Sequence, residues 1–270
     1  MTAVVDRKSI SPLGHTPNQK KTFDRPHPVR LLPGLYQVGG GFYSHSRDAC
    51  SYLIVNESNG ECILIDSGSH SGYEALRANF DMVADIKQLK LVIGTHCHWD
   101  HVEAFGHLCH ETTAKFALHT LDAEAVRTGD PELTCAGFLY NEPFHPFPVD
   151  LELNGGETYE MGDYRLEILH LPGHTPGCIG VKLEFSRTNQ VIFIPGDSVQ
   201  GAFSKRINSS MSTWKRSMRR LMLQKFDFML PNHLPNGAQT ALLSDVDNRL
   251  ARQYSQLQTN FQSFMDKQWN

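Results

Sequence analysis

The sequence lacks any apolar segment that approaches the ~18 consecutive apolar residues of a membrane-spanning helix. It also lacks a C-x-x-C pair, although the chain of 270 residues contains 6 cysteines. Sparse cysteines without such pairs are typical of reduced thiols in the cytoplasm. Residues 1–30 are polar and contain no apolar core of a secretory signal. We therefore expect a cytoplasmic protein that does not bind membranes.

Neither sign of charge is in large excess. The chain carries 25 lysines and arginines against 29 aspartates and glutamates, which gives a formal net charge of −4. So small an imbalance indicates neither a nucleic acid nor a membrane as a partner. Apolar residues make up 40% of the chain and charged residues 20%, so the composition is that of an ordinary globular protein.

The distribution of proline and polar residues predicts an irregular leader at residues 1–27 and a single domain at 28–270. Within the domain, short apolar strands alternate with amphipathic helices, which predicts an α/β fold. Asn59-Gly60 lies between two apolar runs and predicts a β-hairpin.

Apolar residues at helical spacing predict helices at residues 71–83, 213–225 and about 240–266. The segment 128–150 is rich in Phe, Pro and His and lacks this spacing, so it predicts a loop. A loop of this length is expected to act as a lid or as the wall of a pocket.

Histidine is the one residue type present in unusual number, with 14 in the chain. The apolar run at 89–93 leads directly into His96, His98, Asp100 and His101. Alternate residues of an extended segment point the same way, so His96 and His98 can hold one ion together. A turn after His98 would bring Asp100 and His101 to a neighbouring position. Imidazole and carboxylate groups together suit zinc or iron.

Three further candidate ligands follow apolar strands in the second half of the chain. His174 lies in the sequence P-G-H-T-P-G, Asp197 in P-G-D-S and His233 in L-P-N-H. A single histidine at a strand end is more often structural than a metal ligand. Here, however, several strands each end in a small-residue turn with a polar group, which is how an α/β scaffold builds a site. These residues complete ligand sets for two metal ions.

Together with Asp66 in the sequence I-L-I-D-S-G, these motifs resemble the metallo-β-lactamase superfamily over residues 30–240. The resemblance implies an αββα sandwich, with two mixed sheets face to face, flanking helices outside and the site at one edge. It implies that Asp66 orients the site without binding metal. It also implies a first metal at His96, His98 and His174, a second metal at Asp100, His101 and His233, and a bridging role for Asp197.

The activity that the resemblance implies is hydrolysis with two zinc ions per chain, and iron or manganese is the alternative metal. Two ions about 3.5–4 Å apart can hold a bridging hydroxide and polarise a substrate carbonyl. Asp100 would bind metal, orient the hydroxide and pass a proton to the leaving group. The expected partner is a small-molecule substrate with an ester, thioester, lactone or amide bond.

Two alternative activities exist within the family. The sequences T-H-C-H-x-D-H and P-G-H-T-P-G-C resemble the persulfide dioxygenases, which would use one iron, but a G-R-T-D-F-type stretch does not follow Asp197. The second alternative is β-lactam hydrolysis, although the commonest subclass of true β-lactamases has cysteine at the position of Asp197. The aspartate is similar to that of glyoxalase-II-type and lactonase members. The cluster is followed by V-E-A at 102–104, where many members have Gly-Gly.

Two aromatic segments, 39–49 and 128–150, flank the metals in the family, so the resemblance implies aromatic walls beside the reactive centre. The alternative is that these rings only pack the loops onto the body of the protein. A basic pair just past Asp197 is expected to receive an anionic end of the substrate. The residues that we expect in the pocket are Phe42, Tyr43, Phe144, Lys205 and Arg206.

Overall fold

The computed structural model describes residues 27–234 and the backbone of residues 243–244. Within these residues, one sheet contains seven strands in the order β1-β2-β3-β4-β5-β6-β7. Strands β1 to β4 pair antiparallel and β4 to β7 pair parallel, so this first sheet is mixed. Its strands are β1 (Val29–Leu32), β2 (Leu35–Gln37), β3 (Tyr52–Val55), β4 (Cys62–Ile65), β5 (Leu89–Ile93), β6 (Lys115–His119) and β7 (Leu151–Leu153).

The second sheet is also mixed and has the order β13-β12-β11-β10-β9-β8 within the described part of the chain. Strands β8 to β11 pair antiparallel, β11 and β12 pair parallel, and β12 and β13 pair antiparallel. Its strands are β8 (Thr158–Met161), β9 (Tyr164–His170), β10 (Ile179–Phe185), β11 (Gln190–Ile194), β12 (Phe228–Met229) and β13 (Leu243–Ser244).

Helices cover the outer faces of both sheets. Buried residues of α1, α3 and α4 share one apolar cluster with the first sheet, and buried residues of α5 share another with the second sheet. A π-helix at Ala136–Tyr140 interrupts the long segment between β6 and β7. The α-helices are α1 (Tyr73–Asp81), α2 (Trp99–Val102), α3 (Phe105–Glu111), α4 (Thr120–Thr128) and α5 (Met211–Leu221).

The central strands are buried on both faces because one face meets the other sheet and the opposite face meets helices. In β4, Ile63 and Ile65 pack into the cluster between the two sheets. Their neighbours Cys62 and Leu64 point the opposite way and pack under the helices of the first sheet. The order of layers is therefore helix, sheet, sheet, helix, and the predicted αββα sandwich is confirmed.

The elements agree with most of the sequence predictions. Asn59-Gly60 lies in the connection between the antiparallel strands β3 and β4, and α1 and α5 lie within or close to their predicted ranges. The prediction of a helix from about residue 240 is wrong at its start, because Leu243–Ser244 form a strand that pairs with β12. The rest of that helix and residues 1–26 of the leader lie outside the described residues.

All 6 cysteines are buried and free of disulfides, as their spacing predicted. The described part of the chain contains no helix that is both long enough and apolar enough to cross a membrane.

Candidate metal centre

Every candidate ligand lies in a turn or short helix that directly follows a strand. His96 and His98 follow β5, and Asp100 and His101 lie in α2. The other three residues follow strands of the second sheet: His174 follows β9, Asp197 follows β11 and His233 follows β12. The seven side chains form two sets of potential metal ligands, one of His96, His98, His174 and Asp197, and another of Asp100, His101 and His233.

In the first set, the ring nitrogens converge on a common point. His96 Nε2 lies 2.9 Å from His98 Nδ1, which in turn lies 3.2 Å from His174 Nε2. Asp197 Oδ2 lies 3.4 Å from His174 Nε2. Ligands about 2.0–2.1 Å from a tetrahedral zinc ion lie roughly 3.3 Å from one another. The spacing of the donor atoms therefore suits a single bound ion.

The second set has the same spacing and adjoins the first. His233 Nε2 lies 3.3 Å from both His101 Nε2 and Asp100 Oδ2. Asp197 presents its other oxygen, Oδ1, at 3.5 Å from the Nε2 atoms of both His101 and His233. One carboxylate therefore faces both sets, with one oxygen toward each.

The electrostatics of the first set favour neutral imidazoles. Burial lowers the pKa of His96 and of His98 well below the ordinary value, and neighbouring imidazoles lower both values further. Burial also lowers the pKa of His174. A metal ion binds the neutral form of histidine, so these three side chains need not lose a proton when an ion binds.

The negative charges of the site belong to two carboxylates, Asp197 of the first set and Asp100 of the second. Burial acts against ionisation of Asp197, but His233 and His101 outweigh it and hold the pKa of Asp197 well below its ordinary value. Burial would likewise lower the pKa of His233, but the carboxylates of Asp197 and Asp100 raise it to about 10. Without metal, the positive charge of protonated imidazoles therefore offsets the negative charge of the carboxylates. A divalent cation can replace the protons on these imidazoles. The donor set fits a divalent metal in both geometry and charge.

Asp66 lies behind His101, on the side away from the cavity. His101 Nδ1 and Asp66 Oδ2 are 2.8 Å apart, which leaves His101 Nε2 facing the second set. Asp66 also accepts hydrogen bonds from the backbone N–H of Thr95 at 2.7 Å and from Asn232 Nδ2 at 2.6 Å. Such a contact fixes the orientation of an imidazole and its tautomer.

Asp122 is a buried carboxylate that the sequence analysis missed. It lies in the first turn of α4 and accepts hydrogen bonds from the N–H of Cys97 at 3.1 Å and of Gly177 at 2.8 Å. Thr175 Oγ1 donates a third hydrogen bond at 2.7 Å. A Cβ on Gly177 would lie 2.5 Å from the Asp122 carboxyl carbon, so only glycine fits there. Asp122 thus ties the loop of His96 and His98 to the loop of His174, although its sequence context contains no motif that would reveal this.

Two further contacts hold the loops of the second sheet. His174 Nδ1 donates to the carbonyl of Gly201 at 2.8 Å, which leaves its Nε2 for the first set. Trp214 Nε1 on α5 donates to the carbonyl of Ser198 at 2.7 Å, next to Asp197. A Cβ on Gly173 would lie 2.4 Å from the Trp214 backbone, so the turn before His174 packs directly on α5.

A cavity opens onto the two ligand sets. Five candidate ligands line it, and five other residues form the rest of its wall. The ligands are His98, Asp100, His174, Asp197 and His233, and the other residues are Cys135, Leu139, Tyr140, Gln200 and Phe203. The wall beside the candidate metals is therefore largely apolar, with Gln200 and the Tyr140 hydroxyl as its polar groups.

The structure does not bring the pocket residues expected from the sequence to this cavity. The Phe42 side chain is 54% exposed at the surface, whereas Tyr43 and Phe144 are buried in the body of the protein. Arg206 forms an ion pair with Glu132 and lies 4.3 Å above the ring of Phe138. Lys205 lies with Arg206 in an exposed turn. Two other aromatic residues line the cavity: Tyr140, from the segment 128–150, and Phe203, from the loop that follows Asp197.

The fold and its buried histidine–aspartate cluster define the class of metal-dependent hydrolases. The model of the metallo-beta-lactamase superfamily matches residues 47–233, and the chain belongs to this superfamily. A metallo-beta-lactamase from Cronobacter sakazakii has the same fold, with a TM-score of 0.72 at 21% identity over 90% of this chain and 98% of that one.

Three of the sequence relatives are named probable metallo-hydrolases. A probable metallo-hydrolase of Methanocaldococcus jannaschii is 32% identical over 147 residues, which are 54% of this chain and 68% of the relative. Hydroxyacylglutathione hydrolase GloC of Haemophilus influenzae is 31% identical over 176 residues, 59% of this chain and 76% of the relative. The match spans 56% and 49% of the length of two other relatives.

We predict that Asp122→Ala weakens both the fold and metal binding. The change leaves buried donors of Cys97 and Gly177 without an acceptor, which should lower the free energy of unfolding by roughly 3 kcal/mol. Loosening of the two ligand loops should weaken zinc affinity by about 10–100-fold. Denaturant unfolding and competition with a chromogenic chelator measure the two effects. Asp81→Ala, which removes an exposed carboxylate, should change stability by about 0.5 kcal/mol or less. Unchanged zinc affinity in Asp122→Ala would contradict the prediction.

Proposed function

We propose that this protein is a dinuclear zinc hydrolase that cleaves an ester, thioester, lactone or amide bond. The observation that carries the proposal is the position of Asp197 between two ligand sets. Its Oδ2 lies 3.4 Å from His174 Nε2, and its Oδ1 lies 3.5 Å from His101 Nε2 and from His233 Nε2. A carboxylate shared in this way suits two adjacent ions, and ligand sets rich in imidazole favour zinc.

When bound, two such ions would activate water at neutral pH and polarise the carbonyl of the substrate. The protein's own part in the reaction is positioning and proton transfer. Asp100 is buried, belongs to the second ligand set and lines the cavity, so it can both orient water and hand a proton to the leaving group. Asp66 and Gly201 fix the imidazoles of His101 and His174 through their Nδ1 atoms.

An acyl substrate with an apolar portion next to its carbonyl is the class that the cavity favours. Leu139, Tyr140 and Phe203 form an apolar wall beside the candidate ligands. Arg206 is already paired with Glu132, so a carboxylate on the substrate would have to compete for it. One relative is named a hydroxyacylglutathione hydrolase, and a hydroxyacylglutathione is an acyl thioester, which supports this bond class.

The metal content is the first test. We expect elemental analysis of the gently purified protein to give close to two ions per chain, mainly zinc, because two complete ligand sets adjoin each other. His233→Ala should reduce the content toward one ion, whereas His110→Ala, at an exposed histidine outside the site, should leave it unchanged. A single iron per chain, with His101 and His233 unligated in a crystal structure, would instead support the persulfide dioxygenase alternative.

Asp100→Asn tests the proton transfer. The amide is nearly the same size as the carboxylate but cannot accept and release a proton at neutral pH. We expect the fold to be retained and kcat on the best ester, lactone or thioester substrate to fall by more than about 10²-fold. The melting temperature and kcat measure the two outcomes. An active Asp100→Asn enzyme with an unchanged pH profile would remove Asp100 from this role.

A series of acyl chain lengths tests the substrate class. Each methylene buried against the apolar wall should contribute up to about 0.8 kcal/mol, or roughly fourfold in kcat/KM. We expect Phe203→Ala to flatten this dependence, because Phe203 lines the cavity. Phe42→Ala is the matched control, because the Phe42 ring is exposed and does not line the cavity. A flat response in the wild-type protein, or efficient hydrolysis of β-lactams but not of acyl substrates, would refute the proposed class.

A further inference from the structure

Tyr140 is a wall residue of the cavity that lies next to a candidate ligand. It ends the π-helix Ala136–Tyr140 and lines the same cavity as Asp100. Its ring lies against Trp99, the residue before Asp100, with 4.8 Å between the ring centroids. The ring is therefore fixed relative to helix α2, which presents Asp100 and His101 to the site.

The Tyr140 hydroxyl is a hydrogen-bond donor to Asp100. Its partner is the Asp100 carboxylate. An ionised carboxylate has no proton to give, so in this hydrogen bond the phenol O–H donates and the carboxylate accepts.

The backbone around Tyr140 is unusual on both sides. The residues that flank the π-helix, Cys135 and Asn141, adopt the left-handed conformation with φ of 61° and 53°. Non-glycine residues in this region and π-helices are both uncommon, and both occur frequently at functional sites. The Trp99 N–H donates to the carbonyl of Thr134 at 2.8 Å, which joins this irregular segment to α2 just before Asp100.

We propose that Tyr140 is a positioning residue, which holds the Asp100 carboxylate in the orientation needed to bind the second ion. The role rests on the proposed dinuclear function. The imidazole Nε2 atoms of His101 and His233 lie 3.6 Å and 3.3 Å from Asp100 Oδ2. These nitrogens lose their protons when they bind a metal and can then no longer donate to Asp100. Tyr140 belongs to neither ligand set, so its hydroxyl can still donate to Asp100 when the imidazoles bind metal.

Tyr140→Phe isolates the hydroxyl, because phenylalanine keeps the ring that packs on Trp99. We expect the affinity for the second zinc ion to fall by about 10–100-fold while the affinity for the first ion stays within error. Stepwise zinc titration against a chromogenic chelator measures both affinities. The value of kcat should fall with the second affinity, and KM for an uncharged ester should change little. Tyr159→Phe removes a hydroxyl from a strand of the second sheet outside the cavity and should change neither affinity.

Tyr140→Leu separates the hydroxyl from the ring. If the hydroxyl positions Asp100, the Phe and Leu variants should lose the same affinity for the second ion. Loss in the Leu variant alone would overturn the proposal, because the ring would then be the part that matters. Two zinc ions bound with wild-type affinities by Tyr140→Phe would overturn it as well, and the dinuclear function would stand. A wild-type chain that binds one ion would refute the dinuclear function and, with it, this role for Tyr140.

Discussion

The hydrogen bonds of one buried carboxylate, Asp66, join three of the segments that build the site. Asp66 accepts from Thr95, at the start of the histidine cluster, from His101 in α2, and from Asn232, next to His233. A buried carboxylate is tolerated only when donors surround it, so these segments can reach their native positions only together. Asp66 itself has a φ of 56°, an unfavourable region for a residue with a side chain. The site therefore depends on an interaction that has its own conformational cost.

Each sheet supplies an incomplete part of the centre. The first sheet contributes the segment from His96 to His101, and the second contributes His174, Asp197 and His233. The N–H of Ile179 in β10 donates to the carbonyl of Thr95 at 2.9 Å, and Asp122 joins loops from both sheets. The ligand sets therefore form only when the sheets pack. A metal that binds this packed state alone stabilises the whole fold by mass action.

The sequence predicted which polar side chains come together in the candidate metal centre but not which residues form the walls of the cavity. The motifs of the candidate ligands are local in sequence. A strand followed by a turn of small residues places the polar side chain of that turn at the sheet edge, and the conformation of the longer loops does not change this. In a long irregular segment, the sequence does not determine which way an aromatic ring points, because the side chains follow neither the two-residue period of a strand nor the 3.6-residue period of a helix. Phe144 therefore packs into the core beside Phe147, whereas Tyr140 and Phe203 face the cavity. The short strand Leu243–Ser244 was missed because pairing with β12, a tertiary contact, decides its conformation.

Residues 102–104 follow the candidate ligands of α2, and contacts at this point link those ligands to the segment that forms the cavity wall. Where many family members have Gly-Gly, Glu103 is fully buried at the end of α2. Its carboxylate accepts from the backbone N–H of His70 and lies 2.7 Å from Nδ1 of His145, in the long segment 128–150. Thr134, from the same segment, accepts from Trp99 at the other end of α2. The helix that presents Asp100 and His101 is thus held at both ends by the segment that forms the cavity wall. We therefore expect a change in the segment 128–150 to act on the geometry of the second ligand set as well as on the cavity wall.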